Sequence, residues 1–124
     1  MEEYDIVVDV RTEYLARQST PDESRYVFAY HITITNCGTH AAKLQTRHWI
    51  ITNGDEQVQE VKGSGVIGEY PHLQPGDSYQ YTSGTVIETV VGVMHGSYQF
   101  IADDGTEFSA PIRPFTLSVP NKVH

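Results

Sequence analysis

Arg47-His48-Trp49-Ile50-Ile51-Thr52, a turn at Asn53-Gly54-Asp55, a polar run, and then Gly63-Ser64-Gly65-Val66-Ile67-Gly68: how this stretch is read decides the fold. Its last six residues spell G-x-G-x-x-G. In a dinucleotide-binding enzyme that pattern follows a strand and opens a helix whose N-terminal amides hold a pyrophosphate. Here Glu69-Tyr70-Pro71-His72-Leu73-Gln74-Pro75-Gly76 comes next. Two prolines so close together, each lacking an amide donor and restricting the residue before it, forbid a regular helix. The glycine triplet is therefore expected to turn a corner between β-strands.

On the N-terminal side of the triplet, residues 41–52 read as a strand with two competing faces. Ala42, Leu44 and Ile50 favour one; Trp49 and Ile51 favour the other, and a bulge or an edge crossing would satisfy both. Asn53-Gly54 is a two-residue hairpin signal leading to a mostly polar strand over 57–62. Further out, residues 6–14 alternate with period two, 16–24 form a loop around Thr20-Pro21-Asp22, and Tyr26, Phe28, Tyr30, Ile32 and Ile34 mark a central strand. Asn36-Cys37-Gly38-Thr39 offers residues that tolerate positive φ in a tight turn. Beyond the unpatterned stretch 63–76, strands are predicted over 79–82, 85–91 and 93–102, with a loop at Ser83-Gly84. A hairpin at Asp103-Asp104-Gly105-Thr106 leads to 107–110, and Pro111 and Pro114 confine 115–119 to edge-type extended structure. No convincing amphipathic helix and no internal repeat is visible. The pattern predicts an all-β chain of seven to eight strands, an antiparallel β-sandwich of the immunoglobulin/fibronectin type III kind, as a single domain over 1–124.

Sixteen acidic against eight basic residues give a formal charge of -8. Nucleic-acid affinity comes largely from concentrated Lys and Arg, and here they are few and scattered, so direct DNA or RNA binding is not expected. A lone cysteine, Cys37, permits no internal disulfide, and nothing at the N-terminus is built like a signal peptide. The expectation is a cytoplasmic chain without membrane insertion.

Candidates for chemistry are sparse. Ser64 lacks the strand-elbow-helix context of a hydrolase nucleophile, and Cys37 has no neighbouring base. His31, His40, His48, His72, His95 and His124 lack ligand spacing, with His48 and His72 the only pair flanking the glycine loop. No catalytic residue, resident metal or cofactor is assigned. One role remains for the loop: amides of Gly63, Ser64, Gly65 and Gly68 forming an anion nest, with Arg47, His48 or Lys62 adding charge. The other reading is a glycine-rich corner that lets Val66 and Ile67 tuck against the end of the sandwich.

Several segments resemble the bacterial ApaG family over nearly the whole chain. They are Arg47-His48-Trp49-Ile50-Ile51, Gly63-Ser64-Gly65-Val66-Ile67-Gly68 with Pro71, Leu73-Gln74-Pro75-Gly76, Tyr81-Thr82-Ser83-Gly84, Gly92-Val93-Met94-His95-Gly96-Ser97-Tyr98 and Phe115-Thr116-Leu117. Two departures occur: Thr89-Val90-Val91 lacks the family's proline, and the final Ile-Pro-x-Phe pattern reads Ile112-Arg113-Pro114-Phe115. The resemblance implies a fibronectin-type β-sandwich. It implies no catalytic residues, contexts of protein interaction in eukaryotic F-box and polymerase-interacting proteins, a link to magnesium and cobalt tolerance, and a suggested nucleotide site that maps onto Gly63, Gly65 and Gly68. The expected function is a non-enzymatic binding module that holds a protein partner through sheet edges or through Val66, Ile67, Tyr70 and Leu73. The alternative is pyrophosphate or nucleotide binding at 63–68, with or without a divalent cation.

Overall fold

The computed structural model describes residues 2–120, so His124 lies outside the described residues. Eight strands run in the order β1 (Ile6–Tyr14), β2 (Tyr26–Asn36), β3 (Ala42–Asn53), β4 (Val58–Ser64), β5 (His72–Leu73), β6 (Ser78–Ile87), β7 (Val91–Ala102) and β8 (Glu107–Ser118). Apart from two 3-10 turns, Ala16–Gln18 and Pro21–Glu23, no helix occurs among the described residues. All strand pairs are antiparallel, in two sheets: β1-β2-β6, and β4-β3-β7-β8 with the short β5 also on β3. Face-to-face packing of these sheets makes a β-sandwich consistent with the immunoglobulin/fibronectin type III arrangement.

The core lies between the two sheets, where period-two alternation sends every second side chain. From β2 come Phe28, Tyr30, Ile32 and Ile34; from β7 come Met94, Tyr98 and Phe100. Trp49 of β3, only 3% exposed, sits at the centre. Its ring lies 5.4 Å from Tyr30, 6.2 Å from Tyr98 and 5.9 Å from Phe115, so it touches rings from both sheets. Such tilted and edge-to-face contacts are the favourable aromatic geometries.

Both faces proposed for residues 41–52 turn out to point inward, in succession. Ala42, Leu44, Trp49 and Ile51 are all buried, and pairing with β7 slips between Leu44 and Thr46, leaving Gln45 as an extra residue. This bulge reverses the alternation once, so the small and aliphatic residues before it and the aromatic residue after it reach the same core.

Four turn expectations are corrected. Ser83-Gly84 is not a loop: β6 runs unbroken, with Gly84 opposite Ala29 and no slip in register, so 79–82 and the start of 85–91 are one strand. Residues 107–110 and most of 115–119 likewise merge into β8, whose pairing with β7 slips at Arg113-Pro114, where a bulge accommodates the proline. Asn36 ends β2 with no positive φ in the turn that follows, because the chain crosses to the other sheet there. Its buried side chain donates to the carbonyls of His40 and Leu73 at 2.9 Å each and accepts from the Gly38 amide at 2.9 Å. Gly38 is needed for close approach, since a Cβ there would lie 2.5 Å from the Glu3 carbonyl oxygen. Finally, the β3–β4 turn is longer than two residues, and its left-handed residue is Glu56 (φ 63), not Gly54. The Asn53 side chain holds that turn by accepting from the amides of Asp55 and Gln57 at 2.9 and 3.1 Å.

Candidate functional site

The glycine triplet begins inside a strand. Gly63 and Ser64 close β4, Gly63 lies opposite Arg47 on β3, and only from Gly65 does the chain leave the ladder. Residues 65–71 then run along the edge of β3 toward β5. Two backbone bonds strap them there, Gly65 N–H to the bulged Gln45 carbonyl at 2.8 Å and Leu44 N–H to the Pro71 carbonyl at 2.9 Å. Between the straps a tight hairpin stands up. Val66 and Glu69 exchange both backbone hydrogen bonds at 2.9 Å, and the two residues between them, Ile67 (φ 47) and Gly68 (φ 74), are both left-handed, which defines a type I′ turn. Gly65 is left-handed too (φ 60), and a Cβ on it would meet the Glu69 carbonyl oxygen at 2.4 Å. No helix follows residue 68. The strand-turn-strand setting anticipated from the prolines is what forms.

Several groups expected to make an anion site are engaged within the protein. The Gly65 and Val66 amides are consumed by Gln45 and Glu69, so the run of free donors a nest requires is interrupted. Arg47 serves the loop itself: its Nη1 donates to the carbonyls of Ser64 and Gly65 at 2.9 Å each. Gly63 makes room for that guanidinium, since a Cβ at 63 would lie 2.7–2.8 Å from its atoms. Strand alternation puts Arg47 and Gly63 on the side of the sheet that Trp49 uses, and His48 and Lys62, opposite one another in register, on the other. A shallow concavity of about 470 Å³ at this sheet edge is bordered by Thr46, Arg47, His48, Lys62, Gly63 and Gln99. His48 Nε2 contacts Glu60 Oε2 at 2.7 Å. That hydrogen bond, with the nearby Lys62 charge, holds the Glu60 carboxyl below its ordinary value. His72, the other histidine flanking the loop, is engaged with Asp103 Oδ1 at 2.7 Å. Among the described residues no three His, Cys, Asp or Glu side chains gather as a cation would need.

The four proposed partner contacts divide in two. Val66 is 0% exposed and Leu73 4% exposed; both belong to the core and are unavailable to a partner. Ile67 is 61% exposed and Tyr70 46% exposed. Val66 thus packs into the core from the β3 edge while the turn lifts Ile67 away, so of the two residues expected to tuck in only Val66 does so. Tyr70 packs beside Gly65 and carries Lys43 Nζ 5.9 Å from its ring centroid, within cation–π range. The loop therefore presents Ile67 at its tip and, further along, Tyr70 with the Lys43 ammonium of β3 beside its ring.

A second feature was not anticipated from sequence. The hydroxyls of Tyr81 on β6 and Tyr98 on β7 hydrogen-bond across the gap between the sheets. Burial pushes the Tyr81 phenol up to about 12, and burial together with the neighbouring Tyr81 pushes Tyr98 well above the ordinary tyrosine range. The Arg47 charge acts on both in the opposite direction, which places this guanidinium near the hydroxyl pair as well as the loop carbonyls. The available signal was two aromatic residues on inward positions of strands in different sheets.

A fold of two antiparallel sheets with a glycine loop strapped along the edge of one of them defines the class, a β-sandwich domain. A family model described as the ApaG domain matches residues 16–102, and the chain belongs to that family. Protein ApaG of Azoarcus sp. (strain BH72) is 56% identical over 123 residues, covering 99% of this chain and 97% of the relative. Protein ApaG of Ectopseudomonas mendocina (strain ymp) is 55% identical over 121 residues, covering 98% and 96%. A crystal structure from Bordetella pertussis, provisionally named ApaA, superposes with a TM-score of 0.94 at 45% identity and covers 98% of each chain. No helix among the described residues is long and apolar enough to cross a membrane.

Proposed function

We propose that this chain is a non-enzymatic binding module that holds another protein through the loop-bearing edge of its sandwich, with Ile67 and Tyr70 as contacts and Lys43 beside them. One observation carries the reading. Ile67 is a β-branched residue in the left-handed region, at a turn position where Asn or Gly is favoured, and it is mostly exposed. Burial does not repay its backbone strain in the free protein, and strain of that kind is found where a contact requires it. The single cysteine fits a reducing, cytoplasmic setting.

Nucleotide binding at 63–68 is supported less well, because two amides and the guanidinium on which it would depend are already engaged within the loop. Crosslinking and affinity capture with the wild-type chain and with Ile67→Asp and Tyr70→Ala variants tests the proposal. The same partner should be lost from both variants while their folding is unchanged. Capture of an identical set by all three chains would reject this surface, and amide shifts confined to 63–68 on titrating ATP would favour the nucleotide reading instead.

A further inference from the structure

Each sheet of the sandwich has open edges, and they are defended unequally. β1 carries Asp9, Arg11 and Glu13, and it lies against β8. β8 carries Pro111 and Pro114 and is bulged. β4 is seven residues long and carries Glu60 and Lys62. Charges, prolines, bulges and shortness are the usual devices that stop an edge from recruiting another strand. β6 has none of them. Its ten residues, Ser-Tyr-Gln-Tyr-Thr-Ser-Gly-Thr-Val-Ile, hold no charge and no proline, and they pair with β2 without a slip. Among the described residues no backbone hydrogen bond other than those to β2 reaches residues 78–87. Every second residue of β6 therefore turns its amide and carbonyl to an uncovered edge about 33 Å long at 3.3 Å per residue. Beside its C-terminal half a concavity of about 180 Å³ is lined by Val58, Val86, Ile87 and Glu88 among others, and Val58 and Val86 are exposed.

The flanking residues say what fits. Asp77 and Glu88, both exposed, stand immediately outside the two ends of the uncharged run. In a two-fold antiparallel pairing of β6 with β6 of a second copy, Ser78 faces Ile87, which sets Asp77 against Glu88 at both ends. Like charges directly opposite each other destabilise a strand pair, so the register that would pair the whole run disfavours a second copy and favours a segment with basic ends. We propose that β6 is a docking edge for an extended segment of another protein, with an uncharged run of about ten residues bracketed by Lys or Arg, added as a fourth strand to the β1-β2-β6 sheet. Backbone bonds supply the binding and the terminal acid–base pairs fix its register. This rests on the reading of the chain as a protein-binding module but uses a surface separate from Ile67 and Tyr70.

The test uses the full chain and a synthetic peptide in which a lysine stands at each end of ten uncharged Thr, Val, Tyr, Ser and Gln residues, matching the length of β6. Titration should bring hydrogen-exchange protection to alternate amides of residues 78–87. Replacing the terminal lysines with glutamates should weaken binding about tenfold, two exposed charge pairs having changed from attraction to repulsion. N-methylation of alternate peptide amides, in whichever of the two phases faces β6, should abolish it. Asp77→Asn with Glu88→Gln should remove the preference for lysine ends, since an asparagine still accepts the Gln74 amide bond that Asp77 accepts. The inference is overturned if peptide at saturation leaves the β6 amides unprotected, if both peptides bind equally, or if the chain dimerises through β6 without peptide. Ile67→Asp separates the two surfaces. Peptide binding unchanged in that variant supports the β6 assignment; its loss moves the peptide to the loop, defeating the edge while leaving the protein-binding reading intact.

Discussion

Ile67 and Arg47 are the residues at which the loop's chemistry is decided. Placing a β-branched side chain in the left-handed region costs about 1–2 kcal/mol, and at φ 47 Ile67 bears that cost while exposed. Ile67→Gly should therefore stabilise the free chain, by about 1 kcal/mol after glycine's greater loss of entropy is counted, read as a higher urea midpoint, while abolishing partner capture. A lower midpoint would show that its contacts outweigh the strain. Arg47 gives the complementary test. As a clamp on the Ser64 and Gly65 carbonyls it depends on the guanidinium fork, so Arg47→Lys, which keeps the charge, should cost about 2 kcal/mol of stability. Were it an anion ligand instead, lysine would be tolerated and stability would hold. The sequence showed an arginine, a histidine, a lysine and three glycines close together, and composition alone cannot say whether a guanidinium faces an anion or a carbonyl. Strand parity, by contrast, was readable: 47 and 48 alternate across the sheet, so Arg47 can turn to the loop carbonyls while His48 meets Glu60.

Among the elements, β1 and β2 were legible to within a residue or two because alternation over nine and eleven residues leaves little freedom. β3 was legible only as a conflict, since a bulge changes which face the pattern describes without changing any residue type. Gln45 is the extra residue. Its deletion would leave a regular strand in which Leu44 and Trp49 stand four residues apart, so that Ala42, Leu44, Trp49 and Ile51 still share the inward face. The expected result is a chain that still unfolds cooperatively by circular dichroism but has lost the Gln45-to-Gly65 strap, read as faster exchange of the Gly65 amide. Substituting Gln45 by alanine, which keeps the count, should cost less than about 1 kcal/mol because the bond uses its backbone carbonyl. Turns were read less well. Gly84 looked like a break, yet a glycine inside an evenly paired strand leaves the ladder whole. In the β3–β4 turn the eye falls on Asn53-Gly54, whereas the conformationally demanding position is Glu56. Glu56→Gly should thus raise stability by about 0.5–1 kcal/mol in thermal unfolding, whereas Gly54→Ala, at a position without positive φ, should not show a left-handed penalty.

At the scale of the whole molecule, the two sheets are joined by apolar packing around Trp49 and by the Tyr81–Tyr98 hydroxyl pair. Burial of those two phenols makes the assembly sensitive to alkali. A tyrosine in the unfolded chain loses its proton near pH 10, about its ordinary value. In the fold, burial holds Tyr81 up to about 12 and Tyr98 higher still. Above the unfolded value the native state binds more protons than the unfolded state, so stability falls as pH rises; below it both states hold the proton and nothing is lost. The decline should begin near pH 10 at about 1.4 kcal/mol per pH unit for each of the two tyrosines, and the Tyr81 share should be complete by about 12. Urea midpoints measured from neutral to strongly alkaline pH check this. Tyr81→Phe removes one of the two titrations, so it should lose about 1 kcal/mol at neutral pH with its hydrogen bond and then decline with roughly half the wild-type slope. The variant would become the more stable chain at high pH. Equal slopes in the two chains would mean that Tyr81 titrates as freely folded as unfolded, and that its phenol is not held in a buried site between the sheets.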